Sequence, residues 1–254
     1  MANTVYANKV LEVRAQDLLT TAVNTRNLMA VDTSLTQGVG MTKTINVYTY
    51  AGEAEELGIG EGNTTRGGVT YAGKDYTVKL VQQAFDYQDE DFLKDNNVVD
   101  MGVKGATQLM TNKFTADFVA ELDKVTLTQA GGLSYDTIVD AIAKLNLEDE
   151  SGLFVLTNPE GKATLRKDPD YVAARMGEVV YNGQVGAIAG IPVIVSKAVT
   201  GTTILHKDAI KLFLKKDVEV EQERDADTRT NSIYLRAYYI VALEDATKAC
   251  KITD

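Results

Sequence analysis

The sequence predicts an α+β fold, and three stretches carry that prediction. Residues 43 to about 85 hold two β-prone segments on either side of a run rich in glycine and glutamate. Apolar residues from Val103 to Val125 recur every third or fourth position, the period of a long amphipathic helix. The last part of the chain, from Ala209 onward, reads as strand, charged turn, strand.

Residues 1 to about 42 are polar and rich in Thr and Asn. Leu11, Leu18, Leu19, Val23 and Leu28 recur at loose helical spacing, so the segment reads as an extended or partly helical arm that needs other structure to hold it. In "TKTINVYTYAG", Ile45, Val47 and Thr49 alternate with Asn46, Tyr48 and Tyr50. All but Asn46 are β-branched or aromatic, so the run is a strand whose faces differ little in polarity. "VTYAGKDYTVKLVQQAF" is expected to return as the second strand of a long hairpin.

From Asp89, "DEDFLKDNNVVDMG" supplies acids and cap candidates at a helix entrance. The stripe Val103, Ala106, Met110, Phe114, Phe118, Leu122 and Val125 follows, and it reads as core rather than as a cofactor box. After Gly131-Gly132 comes a compact unit. Ser134 stands as N-cap before Ile138, Ala141, Ile142 and Leu145, which share one helix face. "GLFVLTN" is a buried strand. Asn158 and Pro159 open another helix, and "AGIPVIVS" is a strand with Pro192 at its start. In the closing hairpin Leu212 and Leu214 face away from Lys211 and Lys215, and Val218 and Val220 alternate with Glu219 and Glu221. The turn "EQERDADTRT" is too polar to bury.

Composition narrows the chemistry. The 254 residues are 44% hydrophobic and 24% charged, ordinary for a chain with a real core. With 26 basic against 36 acidic side chains the net charge is −10, which disfavours sequence-independent gripping of nucleic acid. One cysteine, Cys250, and one histidine, His206, leave no internal disulfide, no cysteine-based zinc site and no multi-histidine metal site. The N-terminus lacks the pattern of a signal peptide, and the most apolar window, Gly186 to Val195, is too short to span a membrane. A soluble protein made inside the cell is expected.

The tempting motifs fail on their own residues. "GVTYAGKD" places Gly68, Gly73 and Lys74 at phosphate-loop spacing, but Asp75 replaces the hydroxyl that would reach Mg²⁺, and the flank is β-prone instead of helical. Gly58, Gly60 and Gly62 miss the dinucleotide fingerprint because Asn63 takes the third glycine's place. Asp86 to Asp91 lacks the glycine and terminal glutamate of a calcium loop. No G-x-S-x-G occurs, and a lone His206 or Cys250 reads as structural. No catalytic, cofactor-binding or metal-binding residue is predicted.

The order of parts is then the strongest signal: arm, long hairpin, long helix, compact α/β unit, charged hairpin. With "GAIAGIPVIVSKAV", "LTNPEGKATLRKD" and "ILHKDAIKLFLKKDVEVEQERDADTRTNSIYLRAYYIVAL", it resembles the major capsid protein of tailed double-stranded DNA phages, the Hong Kong 97-type capsid fold. The resemblance implies an N-arm over 1–42, an extended loop over 43–85 lying on a neighbouring subunit, a peripheral domain of 86–130 and 212–240, and an axial domain of 131–211 and 241–254. It implies inter-subunit contacts through Glu53, Glu55, Glu56, Glu61 and Arg66 of the extended loop. A second set would be Glu221, Glu223, Arg224, Asp225, Asp227 and Arg229 of the charged peripheral loop. It implies pentamers and hexamers of the chain in a virion assembled in the host cytoplasm, a portal, and DNA enclosed without sequence-specific binding. The chain opens on the arm, without the long charged helical extension that some members use as a built-in scaffold. A separate scaffolding protein, or an extension removed earlier, is therefore implied. The loop tip has no lysine, so the Lys–Asn isopeptide bond of some members is not expected. The tip, Ala51 to Gly68, carries four Glu against one Arg, which directs it toward a basic surface, and its glycines read as joints that let the hairpin bend.

Three other readings remain open at this point. An encapsulin-type nanocompartment shares the fold, although that family usually has a Trp in its N-terminal segment and this chain has none. A tail-tube protein conflicts with the long helix. A small hydrolase would have to use His206.

Overall fold

The computed structural model describes residues 8–21, 28–38, 40–170 and 186–253. Val23 of the predicted arm and residues 171–185 of the compact unit lie outside them.

The arm is helical where described, as α1 (Asn8–Thr21). Its Leu11 and Ala15, four apart, bury one face against the main core. A short strand, β1 (Ala30–Asp32), then pairs in parallel with the later β10 (Ile210–Asp225). Next come β2 (Thr42–Ala51) and β3 (Gly68–Thr77), a two-stranded antiparallel hairpin in register from Thr42 opposite Thr77 to Ala51 opposite Gly68.

The returning strand is not continuous. It breaks at Val78, and β4 (Lys79–Gln88) leaves the hairpin to pair with β11 (Thr230–Leu243). The hairpin thus closes at Thr42 and Thr77, short of the predicted boundary at 85. The cause is amphipathicity. In β4, Val81, Phe85 and Tyr87 fall on alternate positions and all pack into the main core, whereas both faces of β3 are exposed up to Tyr76.

Two helices follow, α2 (Asp89–Lys94) and α3 (Val98–Leu122). The predicted stripe is buried along α3, and Val125 buries just past its end. It packs on the four-stranded sheet β1-β10-β11-β4. Phe114 stacks on Tyr239 of β11 with ring centroids 4.1 Å apart, a contact that adds to plain area burial.

The second sheet has six strands, in the order β5-β12-β9-β6-β8-β7. These are β5 (Thr128–Ala130), β6 (Leu153–Thr157), β7 (Ala187–Ile188), β8 (Ile191–Val195), β9 (Thr202–His206) and β12 (Ala249–Thr253). The helix α4 (Tyr135–Leu145) covers one face; Ser134 caps it by accepting from the Thr137 N–H at 3.2 Å. The helix α5 (Pro159–Lys167) is capped by Asn158, which accepts from the Gly161 N–H at 2.7 Å. Leu153 and Val155 of β6 point into the α4 side, and Phe154 and Leu156 into the α3 side. Burial on both faces is why this strand reads as an unbroken apolar run.

Candidate functional site

The hairpin is anchored at its base. Ile45, Tyr76 and Val78 bury against Phe213 of β10 and Ile240 and Ala242 of β11. The Val78 N–H donates to the Met41 carbonyl at 2.7 Å, and the Lys43 ammonium lies 5.2 Å from the Phe213 ring centroid. Phe213 faces away from Leu212 and Leu214, so β10 buries one face in the main core and the other under the hairpin base.

A carboxylate pair that the sequence reading passed over fastens this junction to α3. Asp117 accepts from Lys79 Nζ at 2.9 Å, Lys113 Nζ at 3.4 Å and the Tyr239 hydroxyl at 2.7 Å. Burial opposes its ionisation, but the hydrogen bonds from Lys79 and Tyr239 outweigh it and hold the carboxyl below its ordinary range. Burial and the neighbouring carboxylate push the Tyr239 hydroxyl up. Glu121, one turn on, takes Lys124, the Tyr76 hydroxyl at 3.5 Å and the Leu243 N–H at 3.4 Å. The available signal was two acids four residues apart beside the apolar stripe.

Beyond the base, the two strands stand free of the cores formed by the other described residues. Tyr48, Tyr50 and Tyr71 are 66%, 68% and 72% exposed. Tyr48 and Tyr71 are directly opposite, with centroids 6.1 Å apart. With Val69, which pairs Tyr50, they give the ribbon an aromatic face open to solvent. Lys74, once a candidate phosphate ligand, lies over the Tyr76 ring, and Asp75 accepts from the Thr44 hydroxyl at 2.6 Å. The glycine-rich string is plain strand.

The strands pinch together at Gly52 and Gly67, where the Tyr50 ring lies against Gly67; a Cβ built there would fall 2.1 Å from the Tyr50 hydroxyl. Past this neck, Glu55 Oε2 accepts from the Thr64 N–H at 2.7 Å. Its Oε1 accepts from the Thr64 hydroxyl at 2.7 Å, the Thr65 N–H at 2.8 Å and the Thr65 hydroxyl. The Thr65 and Thr64 donors pull the Glu55 carboxyl down to about 2. Glu61 accepts from the Gly58 N–H at 3.0 Å. Among the described residues Glu53, Glu56 and Arg66 have no hydrogen-bonding or ion-pair partner. Of the five loop residues singled out by sequence, two are therefore spent inside the tip and three remain available.

The charged turn between β10 and β11 behaves differently. Arg224 pairs with Asp89 at 2.6 Å, Arg229 with Glu90 at 2.7 Å and Glu221 with Arg236 at 2.7 Å. Glu223 accepts from the Tyr234 hydroxyl at 3.4 Å. Asp225 accepts from the Asp227 N–H at 2.9 Å and the Thr228 hydroxyl at 2.9 Å, which closes the turn. Asp89 also takes the Asn231 amide at 2.7 Å, and the Arg224 and Asn231 donors hold its carboxyl low. The acids read as a helix entrance are thus also the partners of the turn's arginines. Asp227 alone in that set keeps a side chain without a partner among the described residues.

His206 is a fastener. Its Nε2 donates to the Ser151 carbonyl at 2.9 Å and its Nδ1 accepts from the Asp208 N–H at 3.2 Å. Both ring nitrogens serve the backbone, which leaves neither to activate a nucleophile. Cys250 is buried, and burial pushes its thiol up, away from reactivity.

Known proteins show the same architecture. The family described as phage capsid protein matches residues 71–252. A major capsid protein of Staphylococcus phage phiMR11 is 30% identical over 236 residues, covering 88% of this chain and 84% of that protein. A solved structure from Mycobacterium phage Che8 superposes with a TM-score of 0.68 at 17% identity, over 89% of each chain. The capsid of a native GTA particle gives 0.69 at 11%, over 90% of this chain and 89% of the other. A virus-like particle from Pyrococcus furiosus gives 0.66 at 12%, over 96% and 98%.

Proposed function

This chain belongs to the phage capsid protein family and has the Hong Kong 97-type capsid fold, and from that premise we propose that it is a structural major capsid protein whose copies build the icosahedral shell around a tailed phage's double-stranded DNA. The observation that carries this reading is the hairpin. Two isolated strands are marginal in water, yet β2 and β3 run ten residues each and leave an aromatic face uncovered. A second copy of the chain supplies the missing cover.

On this reading residues 1–42 are the N-arm and the hairpin is the extended loop. The peripheral domain, 86–130 and 212–240, is built on α3 and most of β10 and β11, with β1 and most of β4 joining its sheet from outside those bounds. The axial domain, 131–211 and 241–254, holds the six-stranded sheet apart from β5, and it meets its copies in pentamers and hexamers. A net charge of −10 suits a wall that encloses DNA without gripping it. A scaffolding protein and a portal are its expected partners, and the virion, assembled in the host cytoplasm, its destination.

Sedimentation and electron microscopy of the purified protein test the proposal. Closed shells are expected, with DNA inside the native particles. A compact monomer under every condition and with every partner tried would refute it. The likeness to the Pyrococcus furiosus particle keeps one second reading in view, a nanocompartment, and an enzyme in place of DNA inside native shells would select it.

A further inference from the structure

We propose that Glu55 is an internal latch that sets the shape of the hairpin tip before a second copy of the chain meets it. The ladder between β2 and β3 ends at Ala51 and Gly68. Beyond it the residues between Gly52 and Gly67 have no strand pairing to order them, and a loose segment pays backbone entropy when it docks. One carboxylate removes that freedom. Four donors from two adjacent residues converge on Glu55 from nine and ten positions along the chain. Hydrogen bonds to a charged acceptor are the strong ones. The neck at Gly52 and Gly67 closes the other end of the lobe, and the Gly58–Glu61 contacts fix its turn.

The latch sorts the tip's groups into two sets. Glu55 and Glu61 are consumed inside. Among the described residues Glu53, Glu56 and Arg66 have no partner, and Leu57 and Ile59 are exposed, Ile59 completely. The tip is therefore a preformed contact and not a flexible tether. The same Thr65 and Thr64 donors that shape the lobe lower the Glu55 carboxyl and so favour its charged, accepting form. That a second copy is what the tip meets rests on the capsid reading; the latch itself does not.

Amide exchange on the full-length unassembled protein, followed by an assembly assay, tests both parts. In wild type the Thr64 and Thr65 amides should exchange at least about tenfold more slowly than those of Gly60 and Gly62. Glu55→Ala should erase that difference and slow shell formation, with thermal unfolding unchanged because the tip lies outside every core cluster. The Thr64→Val/Thr65→Val double variant, which keeps the backbone donors, should fall between the two. Thr64 and Thr65 amides as fast as those of the glycines would overturn the latch. Loss of protection in Glu55→Ala with wild-type assembly would overturn its role in docking. Protected amides in a wild-type protein that forms no shells would sink the capsid reading and leave the latch standing.

Discussion

Asp117 shows how much one side chain can organise. It joins α3 to β11 through Tyr239 and to the hairpin base through Lys79. Asp117→Asn keeps the shape but removes the charge that both partners use, and should cost about 1–3 kcal/mol, toward the low end because Lys79 is half exposed. Chemical denaturation of the unassembled protein measures it. The carboxyl sits below its ordinary 3.8 when folded, so its contribution is complete above that value and is lost as pH falls through the folded one. The gap between wild type and Asp117→Asn should accordingly close in acid, below about pH 4; a gap constant with pH would contradict the assignment. Gly60 is a second case. It has φ of +88°, whereas Gly62 has no such requirement and open space around it. Gly60→Ala should strain the tip by about 1–2 kcal/mol and raise amide exchange there, and Gly62→Ala should not. Of the tip glycines read as joints, Gly52 and Gly67 form the neck, and Gly58, Gly60 and Gly62 lie past it.

At the scale of elements, periodicity was the reliable guide. The α3 stripe, the α4 face and the caps Ser134 and Asn158 follow from local rules that need no partner, and the structure has them. Phe114, centred in that stripe and stacked on Tyr239, ties helix to sheet. Phe114→Ala should cost about 3–5 kcal/mol, read as a lower denaturation midpoint, and a loss under 1 kcal/mol would mean the site collapses around the gap. What could not be read was pairing across long sequence distance. β3 and β4 adjoin as one β-prone stretch in the sequence, and although only β4 alternates apolar residues, the partners that part them, β2 and β11, lie far off along the chain. The Glu55 latch and the Arg224–Asp89 and Arg229–Glu90 pairs depend on the same long-range closure. The charged residues were legible as a set, but which of them the chain keeps for itself was not.

At the scale of the whole molecule, two cored units carry a ribbon that neither of them covers. A protruding element that docks on a different surface of the next copy makes a heterologous contact, the kind that propagates into rings and closed shells. The tip has no lysine, so no Lys–Asn cross-link is expected at this contact. Intact particles should run as a single monomer-sized band in denaturing gels, and a ladder would contradict this. The most direct test of the central claim is a reconstruction of the assembled particle by electron cryo-microscopy. The account predicts a closed shell in which the aromatic face of the hairpin, Tyr48, Tyr50 and Tyr71, is buried against a second copy. A shell that leaves that face in solvent, or a protein that stays a compact monomer, would contradict it.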